Sequence, residues 1–309
     1  MKGILLVNMG GANSPKELKV FLARMFMDPF ILPMGKLGRN LLSFIISNTR
    51  YKSSWKKYEL IGGSPIIEAT QTTVKALQNV LGDAFKVKMA FSYSSPFIKD
   101  SLNAFLEEGI EDITVIPLYP QASISTTTSV ENDVEDVIIN STTIFIHFIN
   151  EFYKNDLFVS FWANLIMNHI KENKLTNPYL VFSAHSIPMN LVEKGDTYPK
   201  AIEESSKLIA DKANLKFEFA FQSRMKGKWV GPDTKDSLKK IAETTNDFDI
   251  ILIPISFVNE NLETLYDLDH DIIPFAKEEL KINKITRVNI PVANVQFINL
   301  LENIIEKTN

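Results

Sequence analysis

Three segments of this chain recur, in the same order, in its second half. Lys-Val-Lys-Met-Ala-Phe at 86–91 returns as Lys-Phe-Glu-Phe-Ala-Phe at 216–221. Lys-Asp-Ser-Leu at 99–102 returns at 235–238. Asp-Ile-Thr-Val-Ile-Pro-Leu at 112–118 returns as Asp-Ile-Ile-Leu-Ile-Pro-Ile at 249–255. The offsets, 86 to 216, 99 to 235 and 112 to 249, are nearly constant. One matching tetrapeptide is weak, but three matches in order at near-constant spacing mark a duplicated unit. The chain must therefore fold as two similar halves, each burying its own core.

Within each half, short apolar runs alternate with longer amphipathic stretches. Strands are predicted at 4–8, 86–91, 113–117, 143–147, 179–183, 216–221 and 250–254, rich in Val, Ile or Phe and followed by turn or polar residues. Helices are predicted at 16–27, 72–81, 99–108, 156–172, 201–212, 235–244 and 295–306. Such alternation predicts parallel sheets with helices on both faces. The expected domains are 1–150 and 151–309, divided at the polar break near residues 150–155. The sequence leaves open whether the C-terminal helix crosses back onto the first domain. In open parallel sheets, ligands bind beyond the carboxyl ends of the strands. Two such edges are expected to face each other across a cleft that holds the active site.

The net charge is −4 and there is no basic stripe, so nucleic acid is excluded as a partner. The chain has no cysteine, which excludes disulfides, thiolate metal sites and cysteine-ligated iron–sulfur clusters. The apolar start, Met1 to Val7, is too short for a secretory signal, and a cytoplasmic location is expected. No apolar run reaches the roughly 18 to 20 residues of a membrane span. The nearest, from Phe30 to Ile46, is interrupted by Pro33, Lys36, Arg39 and two glycines. It reads either as a partly buried helix or as an apolar lip for peripheral contact with a membrane or a flat ligand.

The residues after each strand carry the chemistry. Asn8-Met9-Gly10-Gly11 follows the first strand but lacks the rest of a dinucleotide fingerprint and has no P-loop lysine. Its glycines allow close approach of a ligand or of a neighbouring element. Gly62-Gly63 is a second such turn. After the strand at 113–117 come Tyr119 and a hydroxyl-rich run from Ser123 to Ser129, either a solvated loop or helix start or a holder of substrate carboxylates. Of the four histidines, His147 and His169 sit within a strand and a helix pattern. His185 leaves a buried strand at its C-terminal end, without a nucleophile elbow, and is suited to taking a proton or touching a metal. Glu263, Asp267 and Asp271 are spaced i, i+4, i+8, which puts three carboxylates on one helix face. That row is either a solvated acidic face or a passage for a divalent cation by oxygen ligands, too open for a closed site. Trp229 stands at a second-half strand edge, either stacking on a flat ligand or packing internally.

The stretch Leu-Val-Phe-Ser-Ala-His-Ser-Ile-Pro at 180–188, with Gly-Asp-Thr-Tyr at 195–198, resembles the ferrochelatase signature. The resemblance runs along nearly the whole chain: Leu5 to Gly11, Asp28-Pro29, Gly62 to Pro65, Tyr119 to Gln121, Phe221 to Arg224, Trp229 to Pro232 and Glu263 to Tyr266 have counterparts in the same order. It implies two Rossmann-like domains and a lyase that inserts Fe(II) into a porphyrin, releasing two protons, in the last stage of haem biosynthesis. It implies that His185 and Glu263 are catalytic and contact metal, and that Asp267 and Asp271 extend the metal line along a distorted helix. Met9, Tyr119, Ser123, Ser125 and Trp229 are implied in the porphyrin pocket. The partners implied are porphyrin and ferrous iron, with no tightly bound cofactor, in a monomer. Met9 leans the substrate towards protoporphyrin IX over coproporphyrin III. The rivals are a cobalt or nickel tetrapyrrole chelatase and a non-catalytic haem carrier, against which the carboxylate row argues. Two positions depart from the family: Ala12 replaces a common proline, and Asn261 replaces a common histidine two residues before the glutamate. Asparagine carries no proton at neutral pH but still hydrogen-bonds.

Overall fold

The computed structural model describes residues 1–139, 143–224, 227–244 and 247–308. The chain divides into two compact units, Met1–Glu151 with Val292–Asn309, and Phe152–Pro291.

Unit 1 is a four-stranded parallel sheet of β1 (Lys2–Asn8), β2 (Phe85–Phe91), β3 (Asp112–Pro117) and β4 (Phe145–Phe148), in the order β2-β1-β3-β4. Helices α1 (Pro15–Met27), α2 (Lys36–Leu60), α3 (Ile66–Leu81), α4 (Ile98–Glu107) and α5 (Ser129–Ile138) connect the strands. The start of α1 is built from sequence: Ser14 Oγ accepts the Glu17 N–H, the Glu17 carboxylate reaches back to the Asn13 N–H, and Pro15 takes the first turn. The C-terminal helix Val295–Thr308 belongs to this unit and packs on α3, burying Phe297, Leu300, Leu301 and Ile305.

Unit 2 repeats the plan. Its strands are β5 (Pro178–His185), β6 (Phe217–Gln222), β7 (Asp249–Ile253) and β8 (Ile285–Arg287), all parallel in the order β6-β5-β7-β8. Its helices are α6 (Asp156–Glu172), α7 (Met189–Glu193), α8 (Tyr198–Ala213), α9 (Thr234–Thr244) and α10 (Ile273–Glu278). The two cores match position by position. Leu5, Leu102, Ile113 and Val115 in one correspond to Val181, Leu238, Ile250 and Leu252 in the other.

The pairing registers make the correspondence specific. Asn8 faces Phe91 in unit 1 and Ala184 faces Phe221 in unit 2, and the repeat equates the two phenylalanines. On the other edge, Leu6 faces Ile116 and Phe182 faces Ile253, again equated by the repeat. Both edges give one alignment, in which the next residues along, Met9 and His185, are counterparts. The same hydrogen bond closes the loop after each edge strand, since the Phe91 N–H donates to Pro96 O and the Phe221 N–H to Pro232 O, each at 2.8 Å.

Every predicted strand and helix is present, with bounds moved by up to six residues. Among the described residues the additions are α5, α7, α10, β8 and a 3-10 turn at Gly82–Ala84, and two segments, Ile124–Thr128 and the helix of the acidic row at Glu263–Ile272, have π winding. The stretch from Phe30 to Ile46 becomes a helix only from Lys36, beyond Pro33, and that helix continues to Leu60. Its buried residues are Ser43, Ser47 and Tyr58, while Leu37, Leu41, Phe44 and Ile45 face outwards, with Leu37 86% exposed. The apolar side chains of this stretch therefore form an outward face rather than a buried one. Among the described residues, no helix is long and apolar enough to cross a membrane.

Candidate active site

In each unit the strand order reverses beside the central strand, so the ligand edge lies at the carboxyl ends of β1 and β3, and of β5 and β7. In unit 2 this edge holds His185, the last residue of β5. Three neighbours fix its backbone: it pairs with Gln222 on β6, its N–H donates to Ser256 Oγ at 3.3 Å, and its carbonyl accepts the Tyr198 hydroxyl at 3.1 Å. Burial pushes the Tyr198 phenol above its ordinary value, so it remains a donor. The imidazole Nδ1 lies 2.6 Å from the Ser186 carbonyl oxygen. A carbonyl only accepts, so Nδ1 carries the proton, and in the neutral ring the lone pair is on Nε2.

Next to His185 the chain forms a strip with the Trp229 segment. Pro188 bridges Trp229, the Val230 N–H donates to Ile187 O, and Ser186 Oγ donates to Val230 O. Trp229 is half-buried there.

The acidic row follows β7. Thr264, Leu268 and Ile272 form a buried row towards the core, and Glu263, Asp267 and Asp271 lie one residue ahead of them. The helix is wound with i→i+5 bonds rather than the α winding that the spacing suggests. Four residues overshoot an α turn by about 40°. They fall short of a π turn, about 4.4 residues, by about 33°. The three carboxylates therefore still share a face. A buried relay holds the start of this helix: Ser183 Oγ donates to Gln222 Oε1 at 2.7 Å, and Gln222 Nε2 donates to the Glu263 carbonyl at 3.2 Å. Ser223 Oγ donates to Asp267 at 2.5 Å. Asp271 is exposed and pairs with Lys235 at 2.8 Å.

Asn261 is 4% exposed. Its Oδ1 accepts the Thr264 N–H while its own N–H donates to Thr264 Oγ1, a reciprocal cap at the helix start. The residue that replaces the family histidine thus organises backbone. Arg287, on β8, spans Glu260 and Asp269 from behind the helix. Burial works against its charge, but its bonds to Asp269 and Glu260 hold its pKa above the ordinary value.

In unit 1 the residue in the place of His185 is uncharged. Met9 follows β1, half-buried, and Gly10-Gly11 turns beside it. A side chain at Gly11 would come within 2.0 Å of Ser64 Oγ, and Ser94 Oγ bonds the Gly11 carbonyl at 2.8 Å. The glycine pair therefore serves close approach of neighbouring turns. Tyr119 packs half-buried against the core beyond β3. Ser123 and Ser125 lie at the start of the π segment, their hydroxyls 3.0 Å apart, so the hydroxyl run is a helix start. The Asp28 carboxylate accepts Tyr93 Oη at 2.6 Å, Ser129 Oγ at 2.5 Å and the Phe30 N–H at 2.7 Å, tying the chain before α2 to that run. The other three histidines have separate neighbours: His147 lies 3.2 Å from Asp112, His169 2.8 Å from the Thr286 hydroxyl, and the His270 ring 6.0 Å from that of Tyr266.

Among the described residues, no three of His, Asp and Glu gather closely enough to hold a metal ion. The unit 2 edge instead offers an imidazole nitrogen and successive carboxylates, which suit proton acceptance and the handing on of a divalent cation. Sequence reasoning passed over Ser183, Gln222, Ser256 and Arg287. Ser183 and Gln222 carried a signal, inside the quoted 180–188 and Phe221 to Arg224 motifs.

A family model described as Ferrochelatase matches residues 1–309. A ferrochelatase of Aquifex aeolicus is 36% identical over 99% of this chain and 98% of its own. A coproporphyrin III ferrochelatase of Enterococcus faecalis is 34% identical over 87% of this chain and 88% of its own. Among solved structures, SirB from Bacillus subtilis with Fe3+ aligns over 100% of this chain and 99% of its own, with a TM-score of 0.60 and 12% identity, a likeness of fold.

Proposed function

The chain belongs to the ferrochelatase family, lyases that insert iron into porphyrin to make haem, and on that premise we propose that His185 and Glu263 carry the reaction. Fe(II) is a substrate. Metal insertion replaces the two pyrrole N–H protons of the free base, so two protons must leave. His185 Nε2, with its single lone pair, accepts them one at a time and passes each on before the next, because Nδ1 is committed to the Ser186 carbonyl. The 2.6 Å contact between Nδ1 and the Ser186 carbonyl is the observation that carries the reading. Glu263, whose backbone is held by Gln222, takes protons onward or assists the metal. Asp267 and Asp271 pass the cation by oxygen ligands. Met9, Tyr119, Ser123, Ser125 and Trp229 contact the porphyrin. Asn261 cannot relay a proton, so the path away from His185 runs through the carboxylates.

The outward apolar residues of α2, Leu37, Leu41 and Phe44, with Lys36 and Arg39 beside them, support peripheral membrane contact of a cytoplasmic monomer. Co-sedimentation with anionic vesicles, lost in Leu41→Asp and Phe44→Asp, tests that.

The deciding experiment is anaerobic incubation with Fe(II), following the visible bands of protoporphyrin IX and coproporphyrin III in parallel. Conversion of either to the haem spectrum is expected, and the faster identifies the substrate. If neither porphyrin changes while Co(II) or Ni(II) enters another tetrapyrrole, the iron reading fails.

A further inference from the structure

The helix that bears the acidic row is wound in the less common way, and a charge cluster centred on a buried arginine sits behind it. The Arg287 side chain is 4% exposed. Its Nε and Nη2 each donate to Asp269 at 2.8 Å, one to each carboxylate oxygen. Its Nη1 donates to both Glu260 oxygens, at 2.8 and 3.1 Å, and to the Val288 carbonyl at 3.1 Å. Glu260 also accepts the Ile290 N–H and the Thr264 hydroxyl. No member of this cluster belongs to the Glu263–Asp267–Asp271 row.

Buried ion pairs are a poor way to gain stability, since desolvation consumes most of the attraction; a better-attested use is fixing register. The geometry here selects a winding. Thr264 and Asp269 are five residues apart. On an α-helix they lie about 140° apart, on different faces. With i→i+5 winding, at about 4.4 residues per turn, they come within about 50°. Glu260, bonded to Thr264, and Asp269 can therefore grip one guanidinium from the same side only if the segment is π-wound. The winding in turn decides which way the acidic row drifts around the axis: each step turns it by about 40° one way as α and by about 33° the other way as π. Over the two steps from Glu263 to Asp271 the two windings differ by roughly 150°.

We propose that Arg287, through Asp269 and Glu260, is a positioning residue that holds residues 263–272 in π winding and so aligns the carboxylates that hand on the metal ion. The metal-handling part rests on the function proposed above; the winding part does not.

The test uses the full chain with Asp269→Asn, which leaves Arg287 its Glu260 partner and so protects folding, together with Arg287→Met and Arg287→Lys. Amide hydrogen exchange across 263–272 is expected to quicken at least tenfold in Asp269→Asn while β5 and β7 stay protected. In Zn(II) insertion, the metal KM is expected to rise about tenfold, as for loss of an outer partner of a metal ligand, with the porphyrin KM within twofold. Arg287→Lys should recover part of the loss and Arg287→Met none. Unchanged exchange overturns the clamp. Metal and porphyrin KM rising together, with a general fall in Tm, reduces it to ordinary stability and also overturns the proposal. Wild-type protein that inserts no metal into porphyrin sinks the function reading, and the exchange result still decides the winding.

Discussion

Met9 and His185 occupy the same place in two copies of one sheet, one residue past the Asn8–Phe91 and Ala184–Phe221 pairs. One copy presents a soft, uncharged thioether there and the other a titratable ring. The difference continues outwards. Between the equivalent Phe91 and Pro96 lie four residues, and between Phe221 and Pro232 lie ten, Trp229 among them. Unit 1 holds its buried Asp28 with hydroxyls and a backbone amide, whereas unit 2 holds Asp269 and Asp271 with cations. Duplication supplied two equal edges, and substitution at the strand ends put the imidazole and the carboxylate row on one of them.

Replacing His185 is the sharpest way to break that asymmetry. His185→Ala is expected to lower porphyrin metallation by about 10²–10⁴-fold, the usual worth of a positioned base, with porphyrin binding retained. Steady-state metallation and a porphyrin fluorescence titration read the two effects separately. Turnover within tenfold of wild type would mean that the two edges do not differ in the way proposed. A smaller effect is expected from the loop that unit 1 lacks. Trp229→Ala should weaken porphyrin binding roughly tenfold, with Trp229→Phe in between, from the loss of a flat aromatic face. An unchanged porphyrin Kd would leave the six extra residues with a structural role alone.

Much of this was legible in the chain, and what was not has identifiable reasons. The offsets located the two halves, and the widening between the first matched pair and the second falls in the enlarged Trp229 loop. His185 was legible because it ends a buried strand pattern. The winding of the acidic helix was not, because i, i+4, i+8 departs from a full turn by a similar angle in α and π geometry, with opposite sign. Strand β8, Ile-Thr-Arg, is too short to show an alternating pattern, so Arg287 was invisible as a partner of a helix 18 residues earlier. Asn261 read as a missing proton carrier because its bonds to Thr264 exist only once the turn is formed.

The smallest effect tests an acid of unit 1 that lies beside other carboxylates, whereas Asp112 and Glu108 of the same unit pair with Lys2 and Lys88. Asp133, on α5, is pushed from the usual 3.8 up to about 6 by burial first, then by the charges of Asp28 and Asp136. An acid with a raised folded pKa destabilises the fold when ionised. That cost is absent below pH 4, grows as pH rises, and is complete above about 6. Asp133→Asn should therefore raise stability at pH 8 by about 1–2 kcal/mol, allowing for its partial exposure, and by little at pH 4. Thermal unfolding of both proteins at the two pH values measures it. If the gain at pH 8 does not exceed that at pH 4, burial and the neighbouring Asp28 and Asp136 do not penalise the Asp133 charge. The contrast with the cation-held carboxylates of unit 2 would then be one of geometry rather than electrostatics.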